Sequence, residues 1–180
     1  MSDPSAYGTR ASPPALIWRA AGFVLAFSVL QLAWQSLGGS RLEYFVIHTC
    51  TVRPAALLAN LLTPAAHASA SGYVLATLGM RLNILNGCDG MEALFLVIAA
   101  FAVAPLDWRR RLGGIALGLP VVFVVNEARI LVLFYALRSS PPLFDTLHAT
   151  VTPIALVVLV CCYFYAWLAH PSRSGVAEAA

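Results

Sequence analysis

Three side chains in the C-terminal half of the chain could together carry out acyl-transfer chemistry: Cys88, Arg129 and His148. Hydrolysis or transfer of an acyl group needs a nucleophile, a proton acceptor and a hydrogen-bond donor for the developing oxyanion. A thiol, an imidazole and a guanidinium supply one function each. The three residues lie in or beside different apolar segments, so the chemistry depends on whether those segments bring them to one depth.

The composition shows what kind of molecule must position them. Hydrophobic residues make up 60% of the 180 residues and charged residues 11%, and the mean hydropathy is +0.80. A soluble domain cannot bury so much apolar surface. At about 20 residues per crossing, four or five crossings nearly exhaust the chain. The composition therefore predicts an all-α membrane protein with a single transmembrane domain.

Apolar runs and the residues that interrupt them divide the chain. Glu43, Arg53 and Pro54 interrupt the stretch 42–62, which favours an interfacial or broken helix over a full crossing. Glycines and partial alternation predict a short external strand or hairpin over 72–85. The predicted transmembrane helices are Ala15–Leu37, Met91–Pro105, Leu112–Leu137 and Thr146–Leu168.

Arginines set the predicted orientation of these helices. The net charge of +3 comes from Arg alone, and the Arg residues are too scattered for a nucleic-acid-binding face. The cluster at 109–111 places the loop after the second helix in the cytoplasm. The cytoplasmic head 1–14 and tail 171–180 then flank a membrane domain at 15–170, whose segment 38–87 is external. We expect a multi-pass protein of the inner membrane.

This orientation brings the three reactive side chains to one face. Cys88 begins the second helix and His148 begins the fourth, both on the outer side. Arg129 lies about 18 residues into the third helix, roughly 27 Å from its cytoplasmic start at 1.5 Å per residue. That depth is the outer part of a hydrocarbon core about 30 Å thick. The sequence therefore predicts one site facing the periplasm.

Neighbouring residues should tune this site. The positive end of a helix dipole and a nearby Arg129 lower the pKa of Cys88 and favour thiolate. Asp89 and Glu92 have the opposite effect, and either could cap the helix or neutralise Arg129. Gly90 permits a tight turn. Asp145, three residues before His148, could orient the imidazole by a hydrogen bond.

Three short segments resemble the exosortase/archaeosortase family: 86–92 (NGCDGME), 126–130 (NEARI) and 144–148 (FDTLH). Members of that family carry Cys, Arg and His in this order on successive membrane helices. The resemblance covers about Leu82 to Trp167, and the length of the chain is closest to the compact variants. The family often has a small hydroxyl residue after its Cys, where this chain has Asp89.

The resemblance implies a membrane cysteine protease or transpeptidase that needs no cofactor. Cys88 would be the nucleophile, His148 the general base and acid, and Arg129 the transition-state stabiliser. The substrates would be exported proteins with a C-terminal sorting signal of the PEP-CTERM kind: a short motif, a membrane helix and an Arg-rich tail. The supporting residues would be Asn86, Asp89, Gly90, Glu92, Asn126 and Asp145.

Other interpretations of the same residues remain open. Cys88 could form a disulfide with Cys50 in an oxidising compartment. His48 and Cys50 are two apart and face different ways on a helix, so they make a poor catalytic pair. The Cys spacing does not predict a metal site. A non-enzymatic membrane assembly or transport subunit is the alternative function, with Arg129 in a buried charge network with Glu92 or Glu127.

Overall fold

A computed structural model of the chain describes residues 13–85 and 87–170. These ranges contain helices α1 (Pro13–Ser36), α2 (Arg41–Leu62), α3 (Met91–Val103), α4 (Trp108–Ser139) and α5 (Pro141–Ala169), and strands β1 (Ser69–Ser71), β2 (Val74–Thr77) and β3 (Met80–Asn83). The predicted all-α membrane fold is confirmed, because the sheet is a minor element. The predicted site residue Asn86, most of the polar head and the tail 171–180 lie outside the described residues.

Four helices, α1, α2, α4 and α5, are long and apolar enough to cross a membrane. The predicted crossing at Met91–Pro105 is shorter than expected, since α3 has 13 residues and a crossing needs about 17 or more. It ends because Ala104 is extended, as a residue before a proline usually is. Four helices have crossing length, and α2 takes the place predicted for α3 among them. The orientation predicted from the arginines requires the segment 91–105 to connect the two faces, with α2 interfacial.

Helix α2 is continuous, so of the two alternatives expected for 42–62, an interfacial or a broken helix, the broken helix is not observed. Its ends, Arg41–Tyr44 and Arg53–Leu62, are α-helical, and Phe45–Val52 between them is π-helical. Pro54 lacks an N–H and would break an α-helical ladder. The wider π turn preserves the helix, because the N–H of Arg53 donates to the carbonyl of His48, five residues back.

Both ends of α2 contact the sheet region. Near the start of α2, the Tyr73 hydroxyl donates to Glu43 at 3.3 Å. Near its end, the side chain of Asn60 exchanges two hydrogen bonds with the backbone of Ala68, at 2.7 and 2.8 Å. An open sheet edge is not stable in hydrocarbon, which offers no hydrogen-bond partners. These contacts are compatible with the interfacial position expected for 42–62, and α2 is also long and apolar enough to cross a membrane.

The sheet has the order β1-β2-β3 and is antiparallel throughout. Strands β2 and β3 form the predicted hairpin, with Thr77 opposite Met80. Strand β1 was not predicted, because Ser69, Ala70 and Ser71 lack the β-branched or aromatic side chains that mark strands. The sheet packs on α2 and on the last turns of α4, where Ile130 and Phe134 join one buried apolar cluster.

A second apolar cluster joins α3, α4 and α5. Phe101 lies at its centre and contacts the rings of Tyr163, Phe164 and Trp167 edge-on, with centroids 5.1–6.2 Å apart. Helix α1 packs against α3. The start of α3, the later turns of α4 and the start of α5 therefore meet between the two clusters, and this junction carries the predicted site.

Candidate active site

The loop between β3 and α3 presents Cys88. Its backbone N–H donates to the carbonyl of Leu85 at 2.9 Å and closes a turn. Gly90 has a φ of +83°, and a Cβ there would lie 2.8 Å from the Asn126 side chain. Glycine is therefore required at position 90 by both its backbone conformation and its close neighbour. Asn126 donates from Nδ2 to the Cys88 carbonyl at 3.2 Å and ties the loop to α4.

Asp89 anchors the loop on its other side. One carboxylate oxygen accepts from the backbone N–H of Met91, the first residue of α3, at 3.2 Å. Asp89 thus supports the start of α3, whose N-cap is Gly90. The other carboxylate oxygen accepts from the indole N–H of Trp34 on α1 at 2.9 Å. Burial raises the pKa of Asp89, and these two hydrogen bonds partly offset the increase.

Arg129 reaches the loop from α4 with three donors. Its Nε donates to the Thr152 hydroxyl at 3.1 Å, and one terminal nitrogen donates to the Gly87 carbonyl at 2.9 Å. The other terminal nitrogen lies 3.9 Å from the sulfur of Cys88. Two bonds fix the plane of the guanidinium, so the third donor faces the sulfur of Cys88 in a set direction.

His148 reaches the same sulfur from α5. Its Nδ1 lies 3.6 Å from the sulfur of Cys88, so a proton can pass between the two atoms. The ring stacks on Phe144 with an interplanar angle of 6° and centroids 5.3 Å apart. Asp145 is exposed, so Phe144 supports the imidazole, and the predicted orienting role of Asp145 is not seen in this geometry.

This triad of Cys88, Arg129 and His148 lies within a region that matches a known family. The sequence model of the transmembrane exosortase family matches residues 11–168. The chain belongs to this family. The match extends the predicted resemblance, which began near Leu82, through α1 and α2. No curated protein and no solved structure matches the chain.

In this exosortase the cysteine is not predisposed to be a thiolate, contrary to the expectation from the helix dipole and Arg129. Burial raises the pKa of the Cys88 thiol, the Arg129 guanidinium lowers it, and the carboxylates of Asp89 and Glu92 raise it again. The burial penalty on the charged form outweighs the cation. The raised pKa favours the neutral thiol, so a reaction that uses this sulfur would need a base within reach.

Arg129 is not part of a carboxylate network in this structure. Its three donors face a hydroxyl, a carbonyl and a sulfur. Both carboxylate oxygens of Glu127 are buried without a hydrogen-bond partner, and Glu92 accepts from Gln31 on α1 at 3.1 Å. Within residues 13–85 and 87–170, the neutralisation of Arg129 by an acidic neighbour is therefore not observed, and these contacts do not support the alternative of a buried Arg/Glu network.

The other cysteines stand apart from this chemistry. Cys50 and Cys88 are both free thiols in the structure, so the alternative of a disulfide between them is not supported. Cys50 lines a largely apolar cavity of about 250 Å³ between α2, α3 and α4, next to Asp89 and Asn126. Cys161 and Cys162 are exposed side chains of α5.

Sequence reasoning missed the residues that hold the site in place: Thr152, Phe144, Trp34 and Gln31. The position of Thr152 at the site could have been predicted, because a residue four positions after His148 lies on the same face of a helix. Phe144 could have been predicted in the same way, because it lies four positions before His148. Trp34 and Gln31 could not have been predicted, because nothing in the sequence indicates which face of α1 meets the start of α3.

Proposed function

We propose that this exosortase is a membrane cysteine protease and transpeptidase that cleaves C-terminal sorting signals from exported proteins. The observation that carries the proposal is the position of the Cys88 sulfur, 3.6 Å from Nδ1 of His148 and 3.9 Å from a terminal nitrogen of Arg129. A thiol, a base and a fixed cation around one point form the minimum set for acyl transfer.

The proposed reaction begins with the neutral thiol. Cys88 gives its proton to His148 as its sulfur attacks the carbonyl carbon of the scissile peptide bond. The free donor of Arg129 stabilises the negative charge that develops on the carbonyl oxygen. The tetrahedral intermediate collapses with cleavage of the C–N bond, and His148 returns the proton to the departing amine. A thioester on Cys88 remains, and an amine or water resolves it.

The proposed substrates are exported proteins that end in a short motif, a membrane helix and an Arg-rich tail. Family membership supports this class. The departing amine then carries the substrate's membrane helix, which explains why the nucleophile is supported by helices of a membrane protein rather than by a soluble domain. We place the site at the periplasmic face of the inner membrane, with both termini cytoplasmic, because of the arginines at 109–111.

The proposed chemistry is tested by comparing two cysteine variants. An exported protein of the same genome that carries such a C-terminal signal is co-expressed with the exosortase, and its processing is followed by gel mobility. Cys88→Ala should leave it uncleaved, and Cys50→Ala should process it normally at matched abundance. Equal loss from both variants, together with a mobility shift under reducing conditions, would point to a structural disulfide instead.

The test of the orientation uses reporter fusions. Fusions after Arg111 and after Ala180 should report the cytoplasm, and a fusion after Ser140 should report the periplasm. The Arg-rich loop predicts the first result and the connection between α4 and α5 the last. A cytoplasmic report from Ser140 would put Cys88 on the wrong face and remove the sorting function.

A further inference from the structure

Strand β3 forms one edge of the sheet, and in the described parts of the chain no other strand pairs with its outer side. Alternate residues of an antiparallel pair bond inward. The N–H of Ile84 donates to the Tyr73 carbonyl at 2.8 Å, so Leu82, two residues earlier, also bonds inward. The backbone N–H and C=O groups of Arg81 and Asn83 therefore point away from the sheet.

This edge is accessible. Arg81, Asn83 and Leu85 are exposed, whereas Leu82 and Ile84 are buried in the cluster that packs the sheet on α2 and α4. One face of β3 is thus fixed by the core, and within residues 13–85 and 87–170 no backbone group pairs with the outward N–H and C=O groups of Arg81 and Asn83. An exposed edge of this kind is a template for the backbone of another extended chain.

The outer edge of β3 ends close to Cys88. The turn closed by the hydrogen bond from Cys88 to Leu85 holds their Cα atoms within about 7 Å. Leu85 follows Asn83 by two extended residues, or about 6.6 Å. Cys88 therefore lies within about 14 Å of Asn83, a distance that about four residues of extended peptide cover.

We propose that the substrate segment that precedes its membrane helix binds as a fourth strand along the outer edge of β3, which delivers its scissile bond to Cys88. The inference rests on the proposed function of this site. Strand addition gives affinity through main-chain hydrogen bonds. It also presents the target carbonyl on an extended backbone and satisfies the outward groups of Arg81 and Asn83 close to the membrane surface.

Disulfide cross-linking tests the strand directly and does not need cleavage. Asn83→Cys is introduced into a chain in which Cys50, Cys88, Cys161 and Cys162 are all replaced by alanine. Single cysteines are then scanned through the substrate segment before its membrane helix. A paired strand should cross-link at alternate substrate positions, since side chains of a strand alternate between faces. The strongest position should lie about three to five residues from the bond that wild type cleaves. The matched control is Ser71→Cys on the opposite edge, in β1, which should not cross-link; Ser71 is exposed and stands on the same face of the sheet as Asn83, since both are paired with Val74.

Proline substitution tests the hydrogen bonds. Asn83→Pro removes one outward N–H and leaves the β2–β3 bonds intact, and Ala70→Pro removes the corresponding N–H from the opposite edge. Asn83→Pro should lower processing about tenfold, the effect of roughly one main-chain hydrogen bond, at normal membrane abundance. Ala70→Pro should process as wild type does.

The outcomes separate this inference from the proposed function. Equal processing by Asn83→Pro and Ala70→Pro, cross-links without alternation, or an Asn83→Cys disulfide between two copies of the chain would each overturn the added strand. Processing that survives Cys88→Ala would overturn the proposed chemistry, while an alternating cross-link pattern would still uphold the strand.

Discussion

The two π-helical segments of the exosortase share one local design and differ in what their histidine contacts. In Phe45–Val52, His48 stacks on Tyr44, four residues earlier, with centroids 4.9 Å apart. In Leu147–Val151, His148 stacks on Phe144, also four residues earlier, with centroids 5.3 Å apart. An aromatic ring supports each imidazole, and each segment lies shortly before a proline.

The prolines explain the shared backbone. Pro54 and Pro153 each lack the N–H that an α-helical ladder needs at that point. In both segments the residue before the proline donates to a carbonyl five positions back, Arg53 to His48 and Thr152 to Leu147. The wider turn carries the helix through the proline, and such turns are frequent at functional sites.

The difference lies in the third element that each ring meets. Nδ1 of His48 bonds the carbonyl of Gly72 at 2.8 Å and holds the sheet on α2. Nδ1 of His148 faces the thiol of Cys88. The hydroxyl of Thr152, four residues after His148, accepts a hydrogen bond from Nε of Arg129 and so holds the guanidinium at the site. The same local sequence design thus holds the sheet in one place and, in the proposed function, takes part in catalysis in the other. The contact of the imidazole makes the difference.

Replacing each histidine with alanine should give the largest difference in processing between the two segments. His148→Ala removes the proton acceptor and should lower processing about 10²- to 10⁴-fold at normal abundance. His48→Ala removes a hydrogen bond to Gly72 and should cost about 1 kcal/mol of unfolding free energy, with processing per folded molecule unchanged. Substrate cleavage normalised to membrane abundance measures both. Equal normalised rates would mean that His148 is as structural as His48.

Substitution of Arg129 should have the next largest effect on processing. Its guanidinium donates to Thr152, directly after the second π-helical segment. Arg129→Lys keeps the charge but loses the planar fork, and losing one such donor lowers the rate roughly a hundredfold to a thousandfold. Arg129→Met should accumulate at least as well as wild type, because it removes the insertion cost of a charge, and should be inactive. Full processing by Arg129→Lys would show that the planar fork of donors is not needed. Loss of Arg129→Met from the membrane would show that Arg129 stabilises the fold.

Thr152 sharpens the comparison, because the corresponding residue after His48 is Val52. Thr152→Val removes the hydroxyl that holds Nε of Arg129 while keeping the side-chain shape. A hydrogen bond to a charged group is worth about 1.5–3 kcal/mol, so processing should fall roughly 10- to 100-fold. Thr152→Ser retains the hydroxyl and should restore most of the rate. Equal rates for the Val and Ser variants would mean that Arg129 needs no anchor there.

The smallest expected effect concerns the pH dependence of Cys88. The reactive thiolate accumulates as pH rises through the Cys88 pKa, which burial raises and which the charge of Glu92 raises further. Glu92→Gln removes that charge and keeps an acceptor for Gln31, so the pKa should fall. The pH of half-maximal alkylation of Cys88, measured by peptide mass spectrometry, should move lower. Arg129→Met should move it higher, and shifts of the same sign in both variants would contradict the charge assignments.

The convergence of Cys88, Arg129 and His148 was predictable from sequence, whereas their surroundings were only partly predictable. Helix order and the Arg cluster at 109–111 placed Cys88, Arg129 and His148 at one face, because short loops force neighbouring helices to alternate in direction. The pKa of Cys88 was not predictable, since it depends on how deeply the loop is buried. That burial follows from contacts such as Trp34 to Asp89, across 55 positions of sequence.

The fold shows the same division. Terminal glycines and alternation predicted the β2–β3 hairpin, whereas β1 depends on pairing rather than on its own propensity. The break expected in α2 from Arg53 and Pro54 did not occur, because a π turn can pass a proline without ending the helix. Local rules thus identify where a helix is perturbed, and packing decides whether it ends.

Detection of the acyl-enzyme tests the central claim most directly. Wild-type exosortase is mixed with its co-expressed substrate in membranes, the reaction is quenched with acid, and peptides are examined by mass spectrometry. The account predicts a thioester between Cys88 and the new C-terminus of the substrate, which hydroxylamine releases as a hydroxamate and which is absent from Cys88→Ala. Cleavage without any adduct on Cys88, or an adduct on another residue, would contradict it.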